Sequence, residues 1–299
     1  MRLLTYRMGL RSIYRSTVPV VVIGNLMVGG TGKTPLTAWL ATALKQTGFK
    51  PGILTRGYGS GSRRAQQVTS ESIAAQVGDE PLMLACQVNV PVVLAPRRAE
   101  GAKLLESLGV EIILCDDGLQ HYGLARDLEI AVFDGVRGLG NGHLLPAGPL
   151  RESLQRLDSV NFVVFNGVGD ALAQTPKLHM QLRPLPARAL IDQNLSRDLE
   201  SFRGQTVHAV AAIGHPERFF TTLRLAGLSI IEHPFPDHAP LIPEDFNFGD
   251  TKLILMTAKD AVKCKAFADS RMWQVPVAVQ LVPNFGQDLL DRIVALVKS

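Results

Sequence analysis

The chain has 299 residues, 46% hydrophobic and 19% charged, with a net charge of +4 and a pI near 9.0. That balance excludes a disordered chain and a disulfide scaffold, and the length suits about two domains of ordinary size. The mild basicity serves anionic phosphates or an anionic membrane surface as well as nucleic acid, and the widely spaced Cys86, Cys115 and Cys264 lack metal or CxxC spacing and read as buried thiols in a reducing cytoplasm.

From the start of the chain, Met1–Arg15 is expected to be helical. Leu3, Tyr6, Leu10, Ile13 and Tyr14 fall on one stripe, and Arg7, Arg11 and Arg15 cluster beside it. Such a helix suits a membrane interface; the alternative is a helix packed on the domain with its arginines in water. No apolar run approaches the roughly 18–20 residues that span a bilayer, and no signal-peptide core is present.

Beyond it, short apolar runs alternate with helical stretches, as in βαβ units. Strands are expected at Val18–Ile23, Gly52–Thr55, Val92–Ala95, Glu111–Cys115, Glu129–Phe133 and Phe162–Phe165, with helices at Lys33–Thr47, Glu80–Cys86 and Arg98–Leu108. Their β-branched runs lack strict alternation, so a mostly parallel sheet buried on both faces is expected. Residues 1–182 then form the larger unit, and the proline-bearing stretch 183–204 connects it to a smaller α/β unit over 205–299. That second unit has strands expected at Thr206–Ala212, Leu253–Thr257 and Val275–Leu281, and helices at Pro216–Ala226, Lys259–Ala268 and Gln287–Val297.

The strongest chemical signal is VVVIGNLMVGGTGKTP, Val20 to Pro35. A buried strand runs through Gly29, Gly30, Thr31 and Gly32 into Lys33-Thr34, which opens a helix. Backbone N–H groups of such a loop turn inward around phosphate oxygens, and the helix N-terminus adds partial positive charge. Lys33 is expected to reach the β/γ-phosphates and the Thr34 hydroxyl to ligate Mg²⁺. The strict G-x4-G-K-[ST] form fails because Met27 stands at its first glycine. Downstream, EIILCDDGLQ ends an apolar strand in Asp116 and Asp117, the pattern of a carboxylate that holds Mg²⁺ at a strand's C-terminal edge. Asp79 and Glu80 of VGDEP read equally as helix N-caps, and Arg151-Glu152 as a surface ion pair.

Together these segments resemble the tetraacyldisaccharide 4'-kinase (lipid A 4'-kinase) family. The shared words are VPVVVIGNLMVGGTGKTP, RGYG (Arg56–Gly59), GDEP (Gly78–Pro81), DDGLQHYGLARDLEI (Asp116–Ile130), DGVRGLGNGHLLPAGPLRE (Asp134–Glu152), AIGHPERFF (Ala212–Phe220), PDH (Pro236–His238) and KDAVK (Lys259–Lys263). The resemblance implies transfer of the ATP γ-phosphate to the 4'-hydroxyl of an acylated glucosamine disaccharide 1-phosphate. It implies two Rossmann-like αβα lobes, the N-terminal one of P-loop NTPase type, with the active site in the cleft between them. Asp79 matches the family's catalytic base and His238 its supporting partner. Lys33 and Arg151 join them as catalytic residues, and Gln120 and Arg98 fall at the nucleotide. Glu152 joins Thr34, Asp116 and Asp117 at the metal. The setting implied is the cytoplasmic face of the bacterial inner membrane, with no nucleic acid and no obligate protein partner.

The chain departs from the family in three places. It begins inside the longer apolar N-terminal segment usual there, it has Ala258 where the family's TEKD word is acidic, and Ser60–Ser70 matches poorly. Two rival readings make different demands. A nucleotide-switch GTPase needs N-K-x-D, and Thr257–Asp260 puts its lysine one place late. An ATP-gated membrane-binding module would not phosphorylate a sugar.

Overall fold

The structure is a computed structural model that describes residues 5–6, 8–57, 59–169, 177–282 and 285–298. The first eight strands are β1 (Val20–Gly24), β2 (Pro51–Thr55), β3 (Gln66–Val68), β4 (Val92–Leu94), β5 (Ile112–Asp116), β6 (Leu128–Asp134), β7 (Phe162–Asn166) and β8 (Lys177–Pro184). The rest are β9 (Ala187–Ala189), β10 (Ser196–Arg197), β11 (Thr206–Ala211), β12 (Ser229–Pro234), β13 (Ile254–Thr257), β14 (Met272–Val275) and β15 (Val277–Leu281). They form a nine-stranded sheet, β15-β8-β7-β6-β1-β5-β2-β4-β3, and a six-stranded sheet, β10-β9-β14-β13-β11-β12. Both are parallel at their centres, as the unalternated runs predict, and antiparallel pairs stand at both edges of the larger.

Strand β1 shows why its sequence is apolar throughout. Val21 and Ile23 face a core shared with Leu36, Leu40 and Leu44 of the Lys33–Gln46 helix, while Val20 and Val22 face the core that holds Ala102 and Leu105 of the Arg98–Ser107 helix. In the smaller sheet, Phe219, Phe220 and Leu223 of the Pro216–Leu225 helix cover one face, and Ala261 and Cys264 of the Ala258–Cys264 helix cover the other. Each lobe is therefore a helix–sheet–helix sandwich.

The expected division of the chain needs correcting at its boundaries. The smaller sheet already begins at Ala187, inside the stretch expected to be a connection, and residues after Pro276 return to the larger sheet. The single strand expected at Val275–Leu281 is two. Pro276, which has no N–H for a ladder, separates β14 in one sheet from β15, paired antiparallel with β8, in the other. The Phe285–Lys298 helix then packs Leu289 and Ile293 into the core beside the Lys33–Gln46 helix. The two crossings between lobes lie side by side, where the Leu185 amide donates to the Pro276 carbonyl.

The helix expected over Met1–Arg15 lies partly outside the described residues. Thr5 and Tyr6 are helical, but from Met8 the chain turns and runs extended into a bridge between Tyr14 and Leu124. Tyr14 donates to Glu106 and Arg15 pairs with Asp127, so the end of the segment is docked; Met8, Leu10 and Ile13 stand exposed.

Candidate active site

Strand order creates the site. β1 lies between β5 and β6, and the register sets Ile23 opposite Asp116, so the loop after β1 and the carboxylates after β5 meet at the sheet's C-terminal edge. Crevices at such switch points are where open α/β sheets bind ligands. The loop turns through Gly29 at φ +102° and Gly32 at φ +95°, a conformation that L side chains rarely adopt. A Cβ on Gly32 would also come within 2.7 Å of Met180 and 2.8 Å of Asn166. Asn166, at the end of β7, donates to the Thr31 carbonyl, and Asn25 donates to Gly29, which braces the loop from both sides. Sequence reasoning passed over both asparagines because an isolated Asn carries no periodic signal.

Thr34 Oγ1 donates to Asp116 at 3.0 Å and Thr37 Oγ1 donates to its other oxygen at 3.1 Å. Burial, then the charges of Glu80 and Asp117, push the Asp116 carboxyl up to about 6. Asp117 goes the other way. Its burial is outweighed by Lys33, with Nζ at 3.6 Å, and by Arg151, with Nη1 at 3.4 Å, and its pKa falls. These oxygens are hard donors of the kind Mg²⁺ takes, and no ion pair reaches Asp116 among the described residues, so a divalent cation fits here. No group of three or more carboxylate, histidine or cysteine side chains able to hold a metal forms among those residues. Such a shell relies on phosphate and water for its remainder, as Mg²⁺ sites usually do.

Glu152 and Arg98, expected at the metal and at the nucleotide, are both held by neighbouring groups. Glu152 accepts from Tyr122 and Gln120 and faces Arg156, contacts that anchor the loop after Asp117. Gln120 also donates to the Asn25 carbonyl, tying that loop to the phosphate cradle. Arg98 is buried, donating to the carbonyls of Ala95 and Asp116, so it holds the end of β5 in place. Arg126 explains much of the long DDGLQHYGLARDLEI word: it donates to the carbonyls of Leu119, His121 and Leu124 and pairs with Glu129.

The second lobe reaches this edge through PDH. Asp79, 5% exposed, opens the Asp79–Gln87 helix and receives His238 Nδ1 at 3.0 and 3.1 Å. An N-cap role is not what its side chain does, beyond one contact to the Glu80 amide. Burial opposes its charge, but the His238 hydrogen bond and Lys259 outweigh burial and hold its pKa below the ordinary value. The same bond raises His238 against burial and Lys259. His238 has φ +61° and Asp117 φ +49°, and these are the non-glycine residues with positive φ among those described. Strained backbone concentrates at functional sites, and here both cases fall in this cleft. Lys259, Glu80 and Asp237 gather around the pair; all three stand in shared family words, but residue type and spacing alone do not separate them from solvated charges. Asp260, by contrast, is buried, its amide capped by Thr257 and its carboxylate accepting from the Thr257 hydroxyl and the Ala212 amide, so the KD dipeptide is not a guanine reader. A second contact between lobes joins Arg218 of HPERFF to Asp134 at 2.7 Å.

Comparison with known proteins agrees with this geometry. The family model for tetraacyldisaccharide-1-P 4'-kinase matches residues 1–294. The chain is 50% identical to the tetraacyldisaccharide 4'-kinase of Alkalilimnicola ehrlichii over 93% of this chain and 83% of that one. It is 43% identical to the enzyme of the same name from Methylobacillus flagellatus over 100% and 89% of the two chains. A crystal structure of LpxK from Aquifex aeolicus in complex with ATP superposes with a TM-score of 0.84 at 28% identity, covering 99% of this chain and 93% of that one.

Proposed function

The chain belongs to the tetraacyldisaccharide-1-P 4'-kinase family, and we infer that it uses ATP to phosphorylate the 4' position of a tetraacylated glucosamine disaccharide 1-phosphate, the lipid A precursor. The observation that carries this reading is the pairing of Asp79 with His238 across the cleft, beside a phosphate loop and an aspartate pair. Phosphoryl transfer asks for positioning and charge neutralisation more than covalent chemistry. In this division of work the N–H groups of Gly29 to Thr34 cradle phosphate oxygens and Lys33 faces the β/γ-phosphates. Thr34, Asp116 and Asp117 hold Mg²⁺, which when bound neutralises phosphate charge. Arg151 stabilises charge on the transferring group, while Glu152, Gln120 and Arg98 keep these groups in place. Asp79 takes the proton from the acceptor hydroxyl. The exposed Met8, Leu10 and Ile13 support a peripheral contact with the cytoplasmic face of the inner membrane, where a lipid acceptor resides. No helix among the described residues is long and apolar enough to cross a membrane, and the reading requires neither nucleic acid nor an obligate protein partner.

Labelled γ-phosphate and disaccharide 1-phosphate lipid test it directly. Wild-type protein should transfer the label, and Lys33→Ala should abolish transfer with its melting temperature kept. Asp79→Ala should lower kcat by about 10²–10⁴. His238→Ala should lower it less, and the double variant less than the product of the singles. Wild-type-like turnover in Lys33→Ala, or no transfer by the wild type, would overturn the reading.

A further inference from the structure

Lys259 enters the cleft from the first turn of the Ala258–Cys264 helix, its side chain 13% exposed. Its ammonium lies 3.2 Å from His238 Nε2, 3.0 Å from Asp237 Oδ1, 3.3 Å from Glu80 Oε1 and 3.9 Å from Asp79 Oδ2. Burial disfavours that charge, but Glu80, Asp79 and Asp237 outweigh burial and hold its pKa above the ordinary lysine value. An ammonium has donors only, so the ring nitrogen facing it is an acceptor. The ring proton then sits on Nδ1, which donates to Asp79 at 3.0 Å.

We propose that Lys259 is a positioning residue for phosphoryl transfer, fixing His238 as the neutral Nδ1–H tautomer so that the Asp79 carboxylate, and not the imidazole, takes the acceptor proton. As the new O–P bond forms and the bond to the bridging oxygen of ATP breaks, the hydroxyl proton passes to an Asp79 oxygen. This rests on Asp79 being the base, as read above. Asp237, beside His238, and Glu80, from the other lobe, both hold the ammonium against the dyad.

Among the described residues, charged groups face His238 from three elements. Asp79 and Glu80 belong to the Asp79–Gln87 helix, Asp237 to the loop of His238 itself, and Lys259 and Lys263 to the Ala258–Cys264 helix; Lys263 is occupied by Asp260 at 2.8 Å and by the Ala239 carbonyl. Removing the Lys259 charge makes both Asp79 and His238 easier to protonate, since it lowers the pKa of each. Activity falls as pH drops through the apparent pKa of the dyad, so Lys259→Met should move the acid limb of kcat/KM up by about one to three pH units. Lys259→Arg, which keeps the charge, should return it. Nitrogen NMR of His238 at pH 8 should show the wild-type ring protonated on Nδ1 alone and the Lys259→Met ring shifted toward imidazolium. An acid limb that stays in place in folded Lys259→Met protein, or a wild-type ring protonated on Nε2, overturns the proposal. Transfer retained by Asp79→Ala overturns the base assignment instead, and the nitrogen signature, read without turnover, still decides the tautomer.

Discussion

Asp116 and Asp117 are neighbours in one turn, yet they titrate in opposite directions. Asp117 faces Lys33 and Arg151, whereas Asp116 points down among hydroxyl groups beside Glu80 and is pushed up to about 6. The folded protein therefore holds that proton more tightly than the unfolded chain, whose carboxyl titrates near 3.9. The associated stability is fully present below the unfolded pKa and is lost as pH rises through about 6. Asp116→Asn removes the ionisation while keeping an acceptor for Thr34. Without nucleotide or metal it should be more stable than the parent at pH 8, on the order of 1–3 kcal/mol, with the gain shrinking toward pH 5. Phosphoryl transfer should be lost throughout. Melting temperatures across that range check it; a gain independent of pH would show that the Asp116 charge is not the cause.

At the scale of elements, the end of the chain does the work of a different lobe from the one it follows. β15 extends the larger sheet and the Phe285–Lys298 helix covers the Lys33–Gln46 helix that begins at the phosphate loop. Ile293 is fully buried there. Ile293→Ala should cost about 2–5 kcal/mol through lost burial and the cavity left behind, measurable by urea unfolding. Hydrogen exchange should place the loss in β8, β15 and the Lys33–Gln46 helix. Faster exchange confined to β11 and β13 would instead tie the C-terminal helix to the smaller lobe.

The whole molecule presents its catalytic cleft to solvent between two lobes and an apolar edge near its N-terminus. Met8, Leu10 and Ile13 are 64, 70 and 50% exposed, and Arg11 stands beside them. An apolar cluster flanked by arginine suits an anionic surface, where each cation near the bilayer contributes about 1 kcal/mol and salt screens it. Leu10→Asp combined with Ile13→Asp should lower sedimentation with anionic vesicles, and raised salt should weaken the unaltered protein's binding, with transfer to detergent-dispersed acceptor kept. Vesicle binding that ignores both changes would assign this edge to packing alone.

The phosphate loop, the aspartate pair and the parallel character of both sheets are determined by local sequence, because strand–glycine–helix order and unalternated apolar runs each demand one backbone arrangement. β8 is not among the expected strands, although Leu178, Met180 and Leu182 alternate with polar residues in the manner of a half-buried strand. The lobe boundary was not readable either. The run from Met272 to Leu281 is rich in apolar residues on both sides of Pro276, and only partner strands decide that one half joins β13 and the other β8. In the Asp79–His238–Lys259 cluster, the family words point to Asp79 and His238, but nothing in the sequence joins Lys259 to them. The cluster's members lie 159 and 21 positions apart, and isolated charged residues carry no periodicity. Their protonation states and roles follow from which groups the two lobes bring together, where burial leaves a charge to be stabilised by its neighbours.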